Sequence, residues 1–165
     1  PIRNAREKNM ISYIFFIILL VIAAILSILI SVTDFRRRII PDAYLFPLML
    51  IGLTLIAFYS FPITLQSAVN GGGFGYLMSA IIGAVFDYKL TKQNPDACAP
   101  IGMGDIKLLG VGGMWLGTNG LAIALIIACI LGTLWAKNKN QKYIPFAPFF
   151  FIGGFLSFIT NLFLL

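Results

Sequence analysis

The stretch ISYIFFIILLVIAAILSILISV, from Ile11 to Val32, contains no charged residue. A helix needs about 20 consecutive apolar residues to cross the hydrocarbon core of a bilayer, and this stretch meets that length. It is too long for the core of a signal peptide, and no small-residue cleavage pattern follows it, so we expect it to remain as a span. The stretch therefore predicts that lipid surrounds the fold.

The rest of the chain repeats this pattern. Of 165 residues, 59% are hydrophobic and 11% are charged, whereas soluble domains carry about 25% charged residues. We predict an all-α, polytopic membrane protein with about six transmembrane helices. The expected spans are Met10–Val32, Ala43–Tyr59, Gly75–Phe86 (or from Ala68), Asp105–Leu116, Leu121–Ala136 and Phe146–Leu165.

The predicted spans form one helical domain, residues 10–165, which follows a short tail, residues 1–9. Because the chain opens with Pro1 rather than Met, we expect the natural sequence to begin further upstream. In the third span, Gly75, Ser79 and Gly83 recur every four residues, which predicts close contact with another helix.

Basic residues determine the expected orientation. The net charge is +6, but the twelve basic residues fall in small groups between apolar segments, which indicates membrane topology rather than a nucleic-acid-binding face. Three of them, Arg3, Arg6 and Lys8, precede the first span. The other nine lie on the opposite face: Arg36, Arg37, Arg38, Lys89, Lys92, Lys107, Lys137, Lys139 and Lys142. Nine basic residues against three predict that this face, with Asp34 and Asp105, is cytoplasmic, although the basic tail argues for the reverse, since the first helix often dominates orientation.

Two acids fall at the edges of apolar segments. Asp34 closes the first segment, and Asp105 ends the sequence Gly102-Met103-Gly104-Asp105. Carboxylates at the edge of hydrocarbon are costly and are usually functional. Each also has a structural explanation, because Asp34 precedes three arginines and Asp105 is positioned to cap a helix.

As a pair, the two acids suggest hydrolysis. Peptide hydrolysis by water needs one group to accept a proton and another to polarise the carbonyl, and two carboxyl groups that share a proton do both. Which of them is the base is not assigned. Gly102 and Gly104 would let the backbone approach an extended substrate closely. No metal or cofactor is expected, because the chain has no His, and its two cysteines, Cys98 and Cys129, lack CxxC spacing.

A different class of protein also fits the two acids. A small ion- or proton-coupled transporter would use intramembrane acids to bind a cation along its path. Against it, both acids lie near one face rather than at the midplane, and no inverted repeat is visible.

Three segments resemble the motifs of the type IV prepilin peptidases, which are GxGD-type intramembrane aspartyl proteases. The segment 34–42, DFRRRIIPD, is similar to the family's first motif, an aspartate followed by Ile/Leu-Pro-Asp/Asn. The segment 102–109, GMGDIKLL, is similar to GxGDxKLL, and 144–149, IPFAPF, is similar to IPFGP with Ala147 replacing Gly. Order and spacing agree from Asp34 to the C-terminus.

The resemblance implies an aspartic endopeptidase of the bacterial inner membrane that removes the basic leader of type IV prepilins or pseudopilins at the cytoplasmic face. It makes Asp34 and Asp105 the catalytic pair, with Gly102, Gly104 and Lys107 supporting the site. Lys107 would also fit a lysine that snorkels to the interface. Larger relatives carry two CxxC pairs associated with N-methylation, and because this sequence has none, methyltransferase activity is not assigned. The oligomeric state stays open.

Substrate-binding roles are assigned to Arg37, Arg38 and Asp42. Pilins of this class carry an acid near the start of the mature helix, which Arg37 or Arg38 would meet to set the cleavage register. Asp42 matches the motif, although a cap for the second span explains it equally well.

Overall fold

The computed structural model describes residues 2–59, 61–93, 101–141 and 144–164. These residues form five helices and no strand: α1 Ile2–Arg37, α2 Asp42–Phe58, α3 Leu65–Gln93, α4 Met103–Lys139 and α5 Phe146–Leu164. The all-α prediction is confirmed. Cys98, Lys142 and Leu165, which entered the predictions above, lie outside the described residues.

α4 consists of two helical arms, residues 103–116 and 118–139, joined at Gly117. Gly117 has φ 68° and ψ 177°, which is not helical. A straight helix of this length would extend for about 55 Å, at 1.5 Å per residue. Yet Gly104 at its start packs on Ile40, and Gln141 just beyond its end accepts a hydrogen bond from Arg38. The chain therefore doubles back at Gly117, and the expected segments 105–116 and 121–136 lie in separate arms.

The bundle has two distinct ends. We call one the carboxylate end, because Asp34 lies there; its other members are Ile40, Asp42, Gly104 and Ala147. We call the other the aromatic end, where ring centroids lie 5.3–5.7 Å apart; its members are Phe16, Tyr59, Phe61, Trp115 and Phe158. α1, α2, α3, the two arms of α4 and α5 run alternately between these ends.

The outer surface of the bundle is apolar. Large hydrophobic side chains are exposed along α1 and α3, including Ile11, Ile28 and Leu77. Such continuous apolar surface is unusual on a soluble monomer and marks contact with a membrane or a partner. Three helices are long and apolar enough to cross a bilayer, Met10–Arg37, Leu65–Lys92 and Met103–Lys139, and two shorter apolar helices accompany them. These features identify a helical membrane protein.

α3 begins at Leu65, ten residues before the expected Gly75 and three before the alternative start at Ala68, so the glycines at 71–75 lie within the helix. Glycine in a helix interior is unfavourable by about 0.5–1 kcal/mol relative to alanine. Tertiary contact compensates here: the backbones of Gly71 and Gly113 touch, and Gly75 lies against the carbonyl of Leu109. The predicted close contact of α3 is confirmed, and its partner is the first arm of α4.

Candidate active site

Asp34 lies in the last turn of α1 and is 5% exposed. Its Oδ2 accepts a hydrogen bond of 2.8 Å from the backbone N–H of Ala147, the second residue of α5. The first N–H groups of a helix have no partner within the helix, and a carboxylate near them is stabilised by the helix dipole. Asp34 therefore joins the end of α1 to the start of α5 and is held in a defined position.

Asp105 is the third residue of α4 and is half-buried. Its Oδ2 accepts a hydrogen bond of 3.3 Å from the backbone N–H of Gly102, the residue that precedes the helix. This is the helix-capping interaction considered from the sequence, but the bond is longer than the usual 2.9–3.0 Å. The cap therefore engages one of the two carboxylate oxygens and is weak.

The two acids come to the same end of the bundle because the start of α4 packs on the loop that follows α1. A Cβ built on Gly104 would lie 3.0 Å from the Cβ of Ile40, which is tighter than an ordinary contact. Gly104 therefore permits close packing with the protein's own loop, whereas the sequence suggested close approach to a substrate. Asp34 and Asp105 therefore both lie at the carboxylate end of the bundle.

Lys107 and Asp42 form an ion pair in which Nζ lies 2.6 Å from Oδ2. The prediction that Asp42 caps α2 is wrong: Pro41 occupies the N-cap position and no side chain caps the helix. The carboxylate of Asp42 instead turns towards α4. Lys107 is half-buried, and its ammonium group pairs with Asp42, so the side chain does more than extend to the membrane interface.

Arg37 and Arg38 end α1 at the surface. Arg37 is exposed. Arg38 has a left-handed φ of 56°, and its guanidinium donates a hydrogen bond of 3.0 Å to the side chain of Gln141. The structure therefore brings Arg38 to the loop after α4. A substrate role for either arginine, or for Asp42, stays a prediction.

An apolar groove of about 660 Å³ lies between α1 and α5 beside Asp34. Phe35 and Pro148, which adjoin Asp34 and Ala147 in the chain, line it together with Ser31 and Arg36. A second apolar cavity, of about 410 Å³, lies deeper between α1, α2, α4 and α5. The site thus borders space suited to apolar chains. Among the described residues, no three His, Cys, Asp or Glu side chains are grouped to hold a metal ion.

Two features of the site were missed from the sequence. The amide of Ala147 was not assigned a role, although the prolines at 145 and 148 signalled a helix start at that point. The Asp42–Lys107 pair joins residues far apart in the chain, and neither side chain carries a local signal that identifies its partner.

A model of the type IV leader peptidase family matches residues 14–137. A curated relative from Dichelobacter nodosus, named prepilin leader peptidase/N-methyltransferase, is 33% identical over 129 residues, covering 76% of this chain and 43% of the relative. One of the same name from Pectobacterium carotovorum is 30% identical over 141 residues, covering 81% and 48%. The chain thus spans less than half the length of these relatives. No solved structure matches significantly. On the family match, the chain belongs to the type IV leader peptidase family.

Proposed function

We propose that this chain is an intramembrane aspartic endopeptidase that removes the leader peptide of a type IV prepilin or pseudopilin, with Asp34 and Asp105 as its catalytic pair. The observation that carries the proposal is that two carboxylates, from α1 and α4, lie at the same end of an apolar bundle. Membership of the family and the names of the curated relatives support the same reaction and substrate class.

The chemistry follows from two carboxyl groups that share one proton. The ionised carboxylate takes a proton from a water molecule held between the two groups, and the water oxygen attacks the scissile carbonyl carbon. The protonated carboxyl donates its proton to the carbonyl oxygen, giving a neutral tetrahedral intermediate. When this collapses, the C–N bond breaks, the first group gives its proton to the leaving amine, and the second group regains its proton from one hydroxyl of the intermediate as the C=O bond re-forms. No metal or cofactor enters these steps.

The proposal includes six membrane crossings, one for each of α1, α2, α3, the two arms of α4, and α5. The shortest, 103–116, would extend about 21 Å, less than the hydrocarbon thickness of about 30 Å. A short segment with Asp105 in its first turn is compatible with water reaching the carboxylates, since irregular or short segments at membrane depth occur beside water-accessible cavities.

The carboxylate end is proposed to face the cytoplasm of a bacterial inner membrane. Arg36, Arg37, Arg38 and Lys107 lie at this end, and Lys137 and Lys139 end the second arm of α4 beside it. Cytoplasmic loops carry an excess of basic residues. Prepilin leaders would then be cut on the side where they are made. The proposal covers proteolysis only and does not extend to methyl transfer.

The position of the acids gives no support to an ion-coupled transporter. A coupling ion is bound near the bilayer midplane in such proteins, whereas Asp34 and Asp105 both lie at helix ends.

The test is cleavage of a purified prepilin by the detergent-solubilised protein, followed by mass spectrometry of the product. Asp34→Asn and Asp105→Asn should each abolish cleavage, because an amide neither accepts the water proton nor donates an acidic one. Asp87→Asn is the matched control, since Asp87 is an exposed acid on α3 and should be dispensable. Cleavage by either site variant, or none by the unmodified protein, would refute the proposal.

A further inference from the structure

The Asp42–Lys107 ion pair links the two segments that follow the two acids. Asp42 is the first residue of α2, reached from Asp34 through the loop 38–41, and Lys107 lies two residues after Asp105. Their charged atoms are 2.6 Å apart, which is a direct charge-assisted hydrogen bond. The pair therefore bridges the chain segments that position the two acids.

Helical geometry separates this contact from the carboxylate of Asp105. Residues three apart share a helix face, so Lys107 lies with Gly104 on the face that meets Ile40 and Asp42. Asp105 shares its face with Leu108, which is buried in the core. The ion pair thus holds the first arm of α4 on the face of Gly104 and Lys107. The side chain of Asp105 lies on a different face, with Leu108.

Stability alone does not account for the pair. The side chains of Lys107 and Asp42 are 36% and 48% exposed, and ion pairs this accessible contribute little to folding. A lysine in the second turn of a helix is also close to the positive end of the helix dipole. The location of the ion pair is therefore better explained by a role in positioning α4 than by a contribution to the free energy of folding.

Among the described residues, the carboxylate of Asp105 is hydrogen-bonded only within its own turn, to the N–H of Gly102. The contact of Gly104 with Ile40 is apolar and has no direction of its own. The ion pair adds a directional polar link between the start of α4 and the α1–α2 loop.

We propose that Asp42 and Lys107 are positioning residues, which act as a latch that fixes the start of α4 and thereby sets the separation of Asp34 and Asp105. Neither residue touches the scissile bond in this role. The kinetic part of the inference rests on the proposed peptidase function, and the structural part does not.

The kinetic test compares Lys107→Met, Asp42→Asn and the double variant on a prepilin substrate. A displacement of about 1 Å in an active site costs on the order of 100-fold in rate, so each variant should lower kcat by about 10-fold to 100-fold with KM nearly unchanged. The double variant should be no worse than either single one. Lys107→Arg should retain most activity, and the exchange Asp42→Lys with Lys107→Asp should recover part of kcat. Lys137→Met, at an exposed lysine of the same end, is the control.

A second measurement needs no substrate. Nitroxide labels at positions 39 and 103, whose side chains are 61% and 63% exposed, report the distance between the loop and the start of α4. Cys98 and Cys129 are replaced by serine in this background. The dipolar spectrum should show a single short distance in the parent, a broader distribution in Lys107→Met, and a narrow one again in the charge exchange.

The outcomes separate the two proposals. If the parent protein cuts no prepilin, the peptidase function fails, and the spin-label spectra still decide whether the latch exists. The latch is overturned if the label-distance distribution of Lys107→Met is as narrow as that of the parent. It is also overturned if the single variants of an active enzyme keep the parent kcat, or if their losses add in the double variant.

Discussion

Gly117→Ala is the substitution that most directly tests the folding-back of α4. With φ 68° and ψ 177°, Gly117 occupies a backbone region that is essentially restricted to glycine. An alanine Cβ there would also lie 2.6 Å from Oγ of Ser67 at the start of α3. The change therefore introduces backbone strain and a steric clash at once.

The two contributions can be separated in magnitude. Backbone strain of this kind costs about 1–3 kcal/mol. The clash is less costly, because the Ser67 hydroxyl can rotate away for about 1 kcal/mol. Gly117→Ala should therefore destabilise the protein by about 2–4 kcal/mol. In a Ser67→Ala background the nearest atoms would be at 3.9 Å or more, so only the strain should remain.

The assay is unfolding of the purified protein in mixed micelles with increasing SDS, followed by far-UV circular dichroism and by the fluorescence of Trp115 and Trp135. Gly73→Ala is the control, because a Cβ at Gly73 meets nothing within 4 Å. The reasoning is refuted if Gly117→Ala is as stable as Gly73→Ala. It is also refuted if Ser67→Ala removes the whole loss, since strain would then contribute nothing.

Two further predictions use the same unfolding assay. Gly113→Ala should destabilise by about 1–3 kcal/mol, because its Cβ would overlap the carbonyl oxygen of Gly71 and force α3 away from α4; equal stability with Gly73→Ala would contradict this packing. Asp34→Ala should cost about 1–3 kcal/mol by leaving the buried N–H of Ala147 without an acceptor. Asp34→Asn retains an acceptor and should lose cleavage but not stability, so equal stability of the two Asp34 variants would count against the structural role of the hydrogen bond.

The location of the two acids illustrates what local sequence patterns provide. The apolar run before Asp34 and the glycines around Asp105 identified both residues as unusual, because a charge beside hydrocarbon is costly wherever it occurs. The same patterns gave helix bounds within a few residues for α2 and α5. α3 was underestimated, since its glycines lower helix propensity, and only contact with α4 compensates for that.

The roles of particular side chains depended on partners elsewhere in the chain. Asp42 follows a proline at a helix start, and that local pattern was compatible with a cap; the structure instead pairs it with Lys107. Gly104 allowed close approach, as expected for glycine, but the approaching group is Ile40 of the same chain. In both cases the local pattern identified an unusual position and left the partner undetermined.

The sequence by itself determined that the chain is helical, that lipid surrounds it and that two carboxylates stand at segment ends, because transfer of apolar and charged groups into hydrocarbon depends on composition and length. Only the tertiary structure decided that α4 folds back at Gly117, that Ala147 binds Asp34, and that Lys107 meets Asp42. These contacts join residues distant in the chain, and their geometry depends on the packing of the whole bundle.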